Sequence, residues 1–283
     1  MQNIQTIGVV GAGQMGRGIA QVAAASNYRV YLNDVSQAGL DFALDFIQKQ
    51  MHRGVEKSKW DDTFAAESLA RIAGTQKIED LRDCDLVIEA ATEHKATKLE
   101  IFKNLDKVVK ASALLASNTS SISITEIAAA TGRPEKVAGM HFMNPVPVMK
   151  LVEGIRGLET SDESFACIES VAQSMGKTFV KAKDMPGFAV NRILMPMINE
   201  AVYTLHEGIA AVADIDIAMK LGTNCPMGPL ELADFIGLDT CLAIMQVLHE
   251  GLGDTKYRPC PLLKNYVLAG RLGRKSGRGF YAY

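Results

Sequence analysis

Two titratable side chains, those of His141 and Glu153, stand where they could remove a proton from a bound molecule. His141 ends an apolar segment beside a turn that contains Pro145 and Pro147, and Glu153 lies on the next apolar segment. A histidine suits general-base chemistry near neutral pH, and a carboxylate behind it would fix its tautomer and stabilise the imidazolium. A structural histidine is the alternative, although a carboxylate in a buried strand itself needs a partner.

A run of hydroxyl and amide side chains follows another apolar segment, and its residues are Ser117-Asn118-Thr119-Ser120-Ser121. In doubly wound folds, ligands bind at the edge of the sheet where the strands have their carboxyl ends. We therefore expect the hydroxyls of this run, that of Ser120 included, to lie at a ligand site. His141 should lie at the same edge, with Glu153 in reach if the chain doubles back after it.

A glycine-rich turn near the N-terminus has the pattern G-x-G-x-x-G, and its residues are Gly11-Ala12-Gly13-Gln14-Met15-Gly16. An apolar segment at 7–10 precedes this turn and a helical run at 17–25 follows it, which is the context of a dinucleotide site. There Gly11 makes the tight turn, Gly13 lets a pyrophosphate approach the backbone, and Gly16 lets the helix pack on the strand. The pyrophosphate then lies at the positive end of the helix.

Asp34 closes the next apolar segment and indicates which dinucleotide binds. Its carboxylate can accept hydrogen bonds from both hydroxyls of the adenosine ribose but would repel a 2′-phosphate. The residues that follow, Val35-Ser36-Gln37, include no arginine to neutralise that phosphate. We therefore predict NAD rather than NADP as the cofactor. The alternative is an ordinary glycine-rich turn with a helix-capping aspartate.

Dinucleotide binding and a histidine base together favour oxidation of an alcohol. In that reaction a base takes the hydroxyl proton while hydride leaves the same carbon for the nicotinamide. Residue types and spacing leave this chemistry and a structural role for His141 both open.

The first two-thirds of the chain alternates short β-branched segments with helical ones, which predicts an α/β fold with a Rossmann-type doubly wound parallel sheet. We predict strands at residues 6–10, 29–32, 85–90, 114–117, 136–142 and 149–154. Two later strands, one around 178–180 and one before it, would extend the sheet. The segment 85–90 is nearly all apolar, as a strand buried on both faces should be.

A long helical stretch at 36–58 and a second at 61–71 separate the second and third predicted strands. A compact crossover needs far less chain, so we expect a helical hairpin that projects from the domain. Basic residues cluster near its tip, and these are Lys49, Arg53, Lys57 and Lys59.

The rhythm changes at Asp-Met-Pro-Gly, residues 184–187, and the rest of the chain is helical. We predict helices at 188–207, 214–221, 230–236, 239–250 and 261–271. Asp214 should be the N-cap of the second of them and Gly222 its C-cap, and Pro196 should kink the first. The chain thus divides into an NAD-binding domain, residues 1–185, and an all-α C-terminal domain, residues 186–283.

Composition narrows the classes of partner. The net charge of −2 gives no overall field that would attract nucleic acid or an anionic membrane. No apolar run is long enough to predict a membrane span, and the N-terminus lacks the features of a signal peptide. The five cysteines match no zinc spacing, so we expect no metal site, reduced thiols and a cytoplasmic protein. The small helical domain is rich in apolar residues, and we expect it to form a homodimer.

With these motifs, the sequence resembles the L-3-hydroxyacyl-CoA dehydrogenase family nearly from end to end, and most closely its short bacterial members that act on 3-hydroxybutyryl-CoA. The similarity covers residues 8–16, 117–121, 141–153, 184–192, 226–229 and 273–281. It implies interconversion of a short-chain 3-hydroxyacyl-CoA and its 3-ketoacyl counterpart, with NAD as cofactor and an acyl-CoA as substrate.

The resemblance also implies roles for individual residues. His141 matches the catalytic base, Glu153 its orienting carboxylate, and Ser120 a serine that binds the reacting oxygen near the nicotinamide. Asn191 matches an asparagine that lines the catalytic cleft. The positions that match cofactor contacts are Glu93, Lys98, Asn144 and Lys275.

On the hairpin, the family resemblance concerns coenzyme A. Lys57 matches a lysine that contacts coenzyme A, and we expect Arg53, beside it in the basic cluster, to contact coenzyme A as well. At the neighbouring coenzyme A position, where some relatives carry serine, this chain departs from the family pattern and has Gln50. A solvated lysine on an exposed helix is the alternative for Lys57.

Two other functions compete with this interpretation. One is a structural protein, like a lens crystallin of the same fold, because fold does not imply function. The other is a dehydrogenase of small free hydroxy acids, which would need a cation for the substrate carboxylate close to His141. Lys150 is the nearest candidate for that cation.

Overall fold

A computed structural model describes residues 3–283 and divides the chain into two compact units. The first unit ends at Asp184, and the second runs from Met185 to Tyr283. The division falls within the Asp-Met-Pro-Gly segment at 184–187, the segment in which the sequence analysis places the domain boundary.

One sheet forms the centre of the first unit. Within residues 3–283 its strands are β1 (Thr6–Val10), β2 (Arg29–Asn33), β3 (Ile72–Thr75), β4 (Leu86–Glu89), β5 (Leu114–Ser117), β6 (Val137–Phe142), β7 (Leu151–Arg156) and β8 (Thr178–Lys183). Their order across the sheet is β3-β2-β1-β4-β5-β6-β7-β8. Neighbouring strands are parallel except for β6 and β7, which are antiparallel.

The doubly wound fold is confirmed, and the set of strands differs from the predicted set by one additional strand and one missing strand. Strand β3 is absent from the predicted set; it is a four-residue strand at one edge of the sheet, and its side chains are half-buried or exposed. An edge strand with that burial lacks the run of apolar residues that marks a strand in a sequence. The strand expected before 178–180 is wrong, because Asp162–Ser174 is a helix whose N-terminus is capped by the Ser161 side chain.

Helices flank the sheet of the first unit. They are α1 (Gln14–Ala25), α2 (Gln37–Glu56), α3 (Asp62–Ala70), α4 (Lys95–Val108), α5 (Ile124–Ala129) and α6 (Asp162–Ser174). The core between them and the sheet contains the apolar strand residues and the buried faces of α1, α2 and α6. Side-chain caps fix several of these helices, including that of Ser36 on α2 and that of Asp61 on α3.

Helices α2 and α3 form the predicted helical hairpin, and both contact α1. A buried stripe at helical spacing on α2, which includes Leu40, Ile47 and Met51, belongs to the core of the unit. The turn after α2 is exposed apart from Trp60, whose Nε1–H donates to the Met51 carbonyl at 2.8 Å. The indole lies so close to Gly54 that a Cβ there would be 2.0 Å from the ring.

The second unit is helical, as the sequence predicts. Its α-helices in residues 185–283 are α7 (Val190–His206), α8 (Val212–Gly222), α9 (Pro229–Ile236), α10 (Leu238–Leu252) and α11 (Pro261–Leu268). Apolar residues of all five helices form a separate core. The predicted caps of α8 are wrong, because the helix begins one turn earlier, with Ala211 as N-cap, and ends at Gly222 with Thr223 as C-cap. Asp214 therefore lies in the first turn, where its charge still favours the helix.

No single helix in residues 3–283 is both long and apolar enough to cross a membrane. Helices α9 and α10 reach that length only as a pair, which bends by 98° at the break between them. All five cysteines are free thiols, and four of them are buried.

Candidate active site

The antiparallel pair β6 and β7 brings together the two side chains that the sequence analysis proposed as a base and its partner. His141 and Glu153 are directly opposite each other in the register of these strands. Nδ1 of His141 lies 2.8 Å from Oε2 of Glu153, and both side chains are buried. A carboxylate in that position accepts a hydrogen bond from Nδ1–H, which leaves Nε2 of the neutral ring as a proton acceptor.

The other ring nitrogen of His141 faces Ser120. Nε2 lies 3.0 Å from the Ser120 hydroxyl oxygen, so the three side chains form one hydrogen-bonded chain. Ser120 is half-buried, in the segment directly after β5, which is parallel to β6. A bound hydroxyl or carbonyl oxygen can contact both Nε2 and Oγ at this edge of the sheet.

Backbone and side-chain contacts hold the segment around Ser120 in place. The Glu93 carboxylate accepts hydrogen bonds from the Thr119 hydroxyl, at 2.8 Å, and from the Ser120 backbone N–H. Asn118 accepts a hydrogen bond from the backbone N–H of Phe142 at 2.8 Å and so joins this segment to the strand of His141. Asn118 is not among the predicted site residues, although its place in the polar run after a buried strand is the sequence feature that could have indicated its role.

Lys98 is expected from the resemblance to contact the cofactor, and the structure places it beneath the site. Its side chain is only 1% exposed and its ammonium pairs with the fully buried Glu89. Glu89 also accepts hydrogen bonds from the Ser117 hydroxyl at 3.1 Å and from the backbone N–H of Ala91 at 2.9 Å. This buried pair supports the segment that carries Glu93, and a direct contact of Lys98 with a cofactor stays a prediction.

The glycine-rich turn fits the backbone of a dinucleotide. Gly11 has a φ of +98°, and a Cβ there would lie 2.5 Å from the Cα of Ala91. A Cβ on Gly16 would lie 1.7 Å from the Gly11 carbonyl oxygen, so only glycine lets α1 pack this closely. A Cβ on Gly13 would meet nothing within 4 Å, so that side of the turn is open. Because Gly13 is the N-cap, no side chain there competes for the first N–H groups of α1.

Asp34 follows β2 and lies beside this turn. One carboxylate oxygen accepts a hydrogen bond from the backbone N–H of Ala12 at 2.7 Å, and the other accepts one from Ser36 at 2.9 Å. These bonds fix the carboxylate at the end of β2 while its remaining lone pairs can accept from ribose hydroxyls. The turn and Asp34 together fit a dinucleotide with a free 2′-hydroxyl.

A groove in the first unit runs from the glycine-rich turn to the tip of the helical hairpin. Two adjoining cavities of about 270 and 280 Å³ share Gln21, Gln50, Pro147 and Val148 as lining residues. Gln14 of the glycine-rich turn lines one end of the groove, and its side-chain amide donates a hydrogen bond to the Asn144 side-chain oxygen at 2.9 Å. The other end is lined by Arg53, Lys57, Lys59 and Trp60.

Two expected site residues belong to the second unit. Asn191 lies in the first turn of α7. The Lys275 ammonium pairs with Asp239 at 2.5 Å. Burial acts to raise the pKa of Asp239, but the hydrogen bond from Lys275, together with backbone N–H groups, outweighs it and lowers the pKa.

The chain of Ser120, His141 and Glu153 also has the order of groups that activates a serine nucleophile in hydrolases. The geometry of these three side chains is compatible with two reactions: His141 could take a proton from a substrate, or it could take one from Ser120. The glycine-rich turn and Asp34 favour the first, because a dinucleotide site at the same end of the sheet serves hydride transfer and not acyl transfer.

Comparisons with known proteins agree with this geometry. Residues 6–185 match the family model described as 3-hydroxyacyl-CoA dehydrogenase, NAD binding domain, and residues 187–283 match the model of the C-terminal domain of the same family. A probable 3-hydroxybutyryl-CoA dehydrogenase of Bacillus subtilis is 57% identical over 280 residues, which are 99% of this chain and 98% of the relative. The 3-hydroxybutyryl-CoA dehydrogenase of Bradyrhizobium diazoefficiens is 57% identical over 99% of this chain and 96% of its own.

A solved structure gives the same result. The crystal structure of the (S)-3-hydroxybutyryl-CoA dehydrogenase from Ralstonia eutropha superposes with a TM-score of 0.97 at 50% sequence identity and covers 99% of both chains. Both family models match in order and cover almost the whole chain. The chain therefore belongs to the 3-hydroxyacyl-CoA dehydrogenase family and is an NAD-dependent enzyme.

Proposed function

We propose that the enzyme interconverts (S)-3-hydroxybutyryl-CoA and acetoacetyl-CoA, with His141 and Glu153 as the base pair. The observation that carries this proposal is the hydrogen-bonded chain of Ser120, His141 and Glu153 at the carboxyl end of the sheet that also carries the dinucleotide turn. Relatives that are 57% identical to this chain over nearly their whole length carry the same substrate in their names, which supports it.

In the oxidising direction, Nε2 of His141 takes the proton of the C3 hydroxyl. Bound NAD supplies the acceptor for the hydride that leaves the same carbon. The Ser120 hydroxyl holds the substrate oxygen, and the buried Glu153 carboxylate stabilises the imidazolium that forms. In the reducing direction the same imidazolium returns its proton to the oxygen of the former carbonyl.

The groove lined by the helical hairpin suits the coenzyme A part of the substrate. Three cations at its outer end, Arg53, Lys57 and Lys59, can bind the phosphates of the 3′,5′-ADP group. Trp60 lines the same end and offers part of an aromatic face. Gln50 lines both cavities, so the position where some relatives carry serine lies within the groove even though its side chain differs.

Neither competing function explains this set of residues. A structural protein needs no chain of Ser120, His141 and Glu153 beside a dinucleotide turn. A dehydrogenase of free hydroxy acids needs one cation near the base, whereas here three cations lie together at the far end of a groove. Lys150, the candidate for that single cation, is exposed.

We also propose a homodimer formed through the second unit. Large apolar side chains on that unit are exposed, with values of 72% for Ile193, 82% for Leu221 and 85% for Leu268. Exposed apolar surface of this kind favours association with a second copy.

Light scattering on a size-exclusion column should give about twice the chain mass of 30.6 kDa at micromolar concentration. A monomer mass under those conditions would contradict the proposal.

Asp34→Asn should weaken the preference for NADH over NADPH. The amide oxygen can still accept a hydrogen bond from Ala12 or Ser36, while the charge that repels a 2′-phosphate is lost. We expect the ratio of kcat/KM values for NADH and NADPH to fall by about tenfold or more, which is about 1.4 kcal/mol. The matched control is Asp45→Asn on α2, which pairs with Lys49 and should leave the ratio unchanged. A wild-type enzyme that uses both cofactors equally well would contradict the assignment.

Lys57→Ala should raise KM for acetoacetyl-CoA about fivefold, the size of one exposed charge contact. A truncated acetoacetyl-pantetheine thioester, which lacks the ADP group, should show almost no change. Lys49→Ala is the control, because Lys49 lies on α2, which ends directly before Lys57, but it pairs with Asp45 and lines neither cavity of the groove.

An unchanged KM for acetoacetyl-CoA in the Lys57 variant would contradict the proposed contact and would favour the alternative of a solvated surface lysine. Free acetoacetate is the second comparison in the same assay, and we expect turnover at least about a hundredfold slower than with the thioester because the groove contacts are lost. Comparable turnover of the free acid would favour the hydroxy-acid dehydrogenase.

His141→Gln should lower kcat by about 10²–10⁴-fold, the usual cost of losing a general base. Glu153→Gln should also lower kcat substantially, because the ring loses the group that fixes its tautomer and stabilises its charge. NADH affinity, followed by fluorescence, should stay near the wild-type value in both variants, since neither residue belongs to the dinucleotide turn. His206→Gln, at the exposed end of α7, is the control and should be fully active.

A His141→Gln enzyme that binds NADH and keeps a tenth or more of the wild-type kcat would place the base elsewhere.

A further inference from the structure

Lys177 is a buried lysine between α6 and β8. Its side chain is 8% exposed, and its ammonium donates hydrogen bonds to two backbone carbonyls, that of Val146 at 2.5 Å and that of Met149 at 2.8 Å. Burial lowers the pKa of this lysine. Long cationic side chains are rarely buried unless their polar end is hydrogen-bonded. The two carbonyls that bind the ammonium therefore indicate what this lysine does in the fold.

Both carbonyls belong to the connection between β6 and β7, residues 143–150, which we call the 143–150 turn. Lys177 holds this turn from the side of β8. From the side of α1, the buried Val146 side chain lies against Gly18, where a Cβ would be 2.9 Å from the Cβ of Val146. The turn is thus held through its backbone on one side and through a side chain on the other.

The 143–150 turn is also a wall of the groove. Pro147 and Val148 line both cavities, and Asn144 is bonded to Gln14 of the dinucleotide turn. Val148 is itself exposed, so its position depends on the backbone that carries it. Without the ammonium, the carbonyl of Val146 would lose its bond at a buried site and that of Met149 at a half-buried one, and the turn would rearrange so that water could reach them.

We propose that Lys177 is a positioning residue that sets the affinity for the acyl-CoA substrate by holding the 143–150 turn as the wall of the groove. This inference rests on the proposed function, in which the groove binds coenzyme A. Lys177 acts through the turn and touches neither substrate nor the reacting atoms. Its loss therefore affects KM for the thioester more than kcat, because His141, Glu153 and Ser120 keep their own contacts.

The test is steady-state kinetics of Lys177→Met with acetoacetyl-CoA and NADH. Methionine keeps an unbranched apolar stem and removes the two hydrogen bonds. We expect KM for acetoacetyl-CoA to rise about fivefold or more, the effect of about one buried hydrogen bond, with kcat within about twofold of the wild type. A lysine with a merely structural role would lower the melting temperature and the folded, active fraction, which lowers the apparent kcat but leaves KM unchanged.

Gly18→Ala approaches the same turn from its other side and should raise KM for acetoacetyl-CoA in the same way, because its Cβ displaces Val146. Lys136→Met is the matched control. Lys136 also donates a hydrogen bond to a backbone carbonyl, that of Ala111 at 2.7 Å. It lies directly before the first residue of β6, whereas the 143–150 turn follows the last residue of that strand. Its loss should leave KM for acetoacetyl-CoA unchanged.

A folded Lys177→Met enzyme with the wild-type KM would overturn this inference, whatever its melting temperature. If Lys177→Met does not fold, the Gly18→Ala enzyme decides, and an unchanged KM there would overturn the inference as well. A wild-type enzyme that fails to reduce acetoacetyl-CoA would instead overturn the proposed function, so the two failures are distinguishable.

Discussion

The buried carboxylate of Glu153 is the group on which the rest of the site depends. A charge without exposure to water needs hydrogen-bond donors, and here the His141 ring provides one across the strand pair. That bond fixes which ring nitrogen faces Ser120, so a requirement of burial also orients the imidazole that we propose as the base. The one antiparallel pair among the strands of residues 3–283 exists at the point where this contact is made.

The order of the strands explains why the dinucleotide turn and His141 lie at the same carboxyl end of the sheet. The chain runs outward from β1 to β2 and β3, then returns to the other side of β1 with β4. Such a reversal opens a crevice at the carboxyl ends of the strands. Gly11 and Asp34 follow the strands on one side of this point, and Ser120 and His141 lie on or after strands on the other. The residues of the dinucleotide turn and those of the proposed base site therefore lie at the same end of the sheet, on either side of this crevice.

The sequence predicted best what depends on local pattern. The apolar strands, the hairpin helices, the glycine turn and the pairing of His141 with Glu153 follow from periodicity, turn chemistry and one chain reversal. The edge strand β3 and the N-terminus of α8 did not, because edge burial and helix caps are decided by neighbours distant in sequence. The buried positions of Lys98 and Lys177 were equally invisible, since a lysine in a sequence gives no sign of which carbonyl or carboxylate will cover it.

The pairing of β6 with β7 has a consequence for how this protein can tolerate changes in length. Successive side chains of a strand point to opposite faces, so slipping β7 by one residue would turn the Glu153 carboxylate away from the face that His141 occupies. An insertion in residues 143–150 is therefore harmless only if it bulges outward and leaves both strands in place. An insertion that shifts the register separates Glu153 from His141 while both residues remain in the sequence, so alignment of motifs alone would not detect the damage.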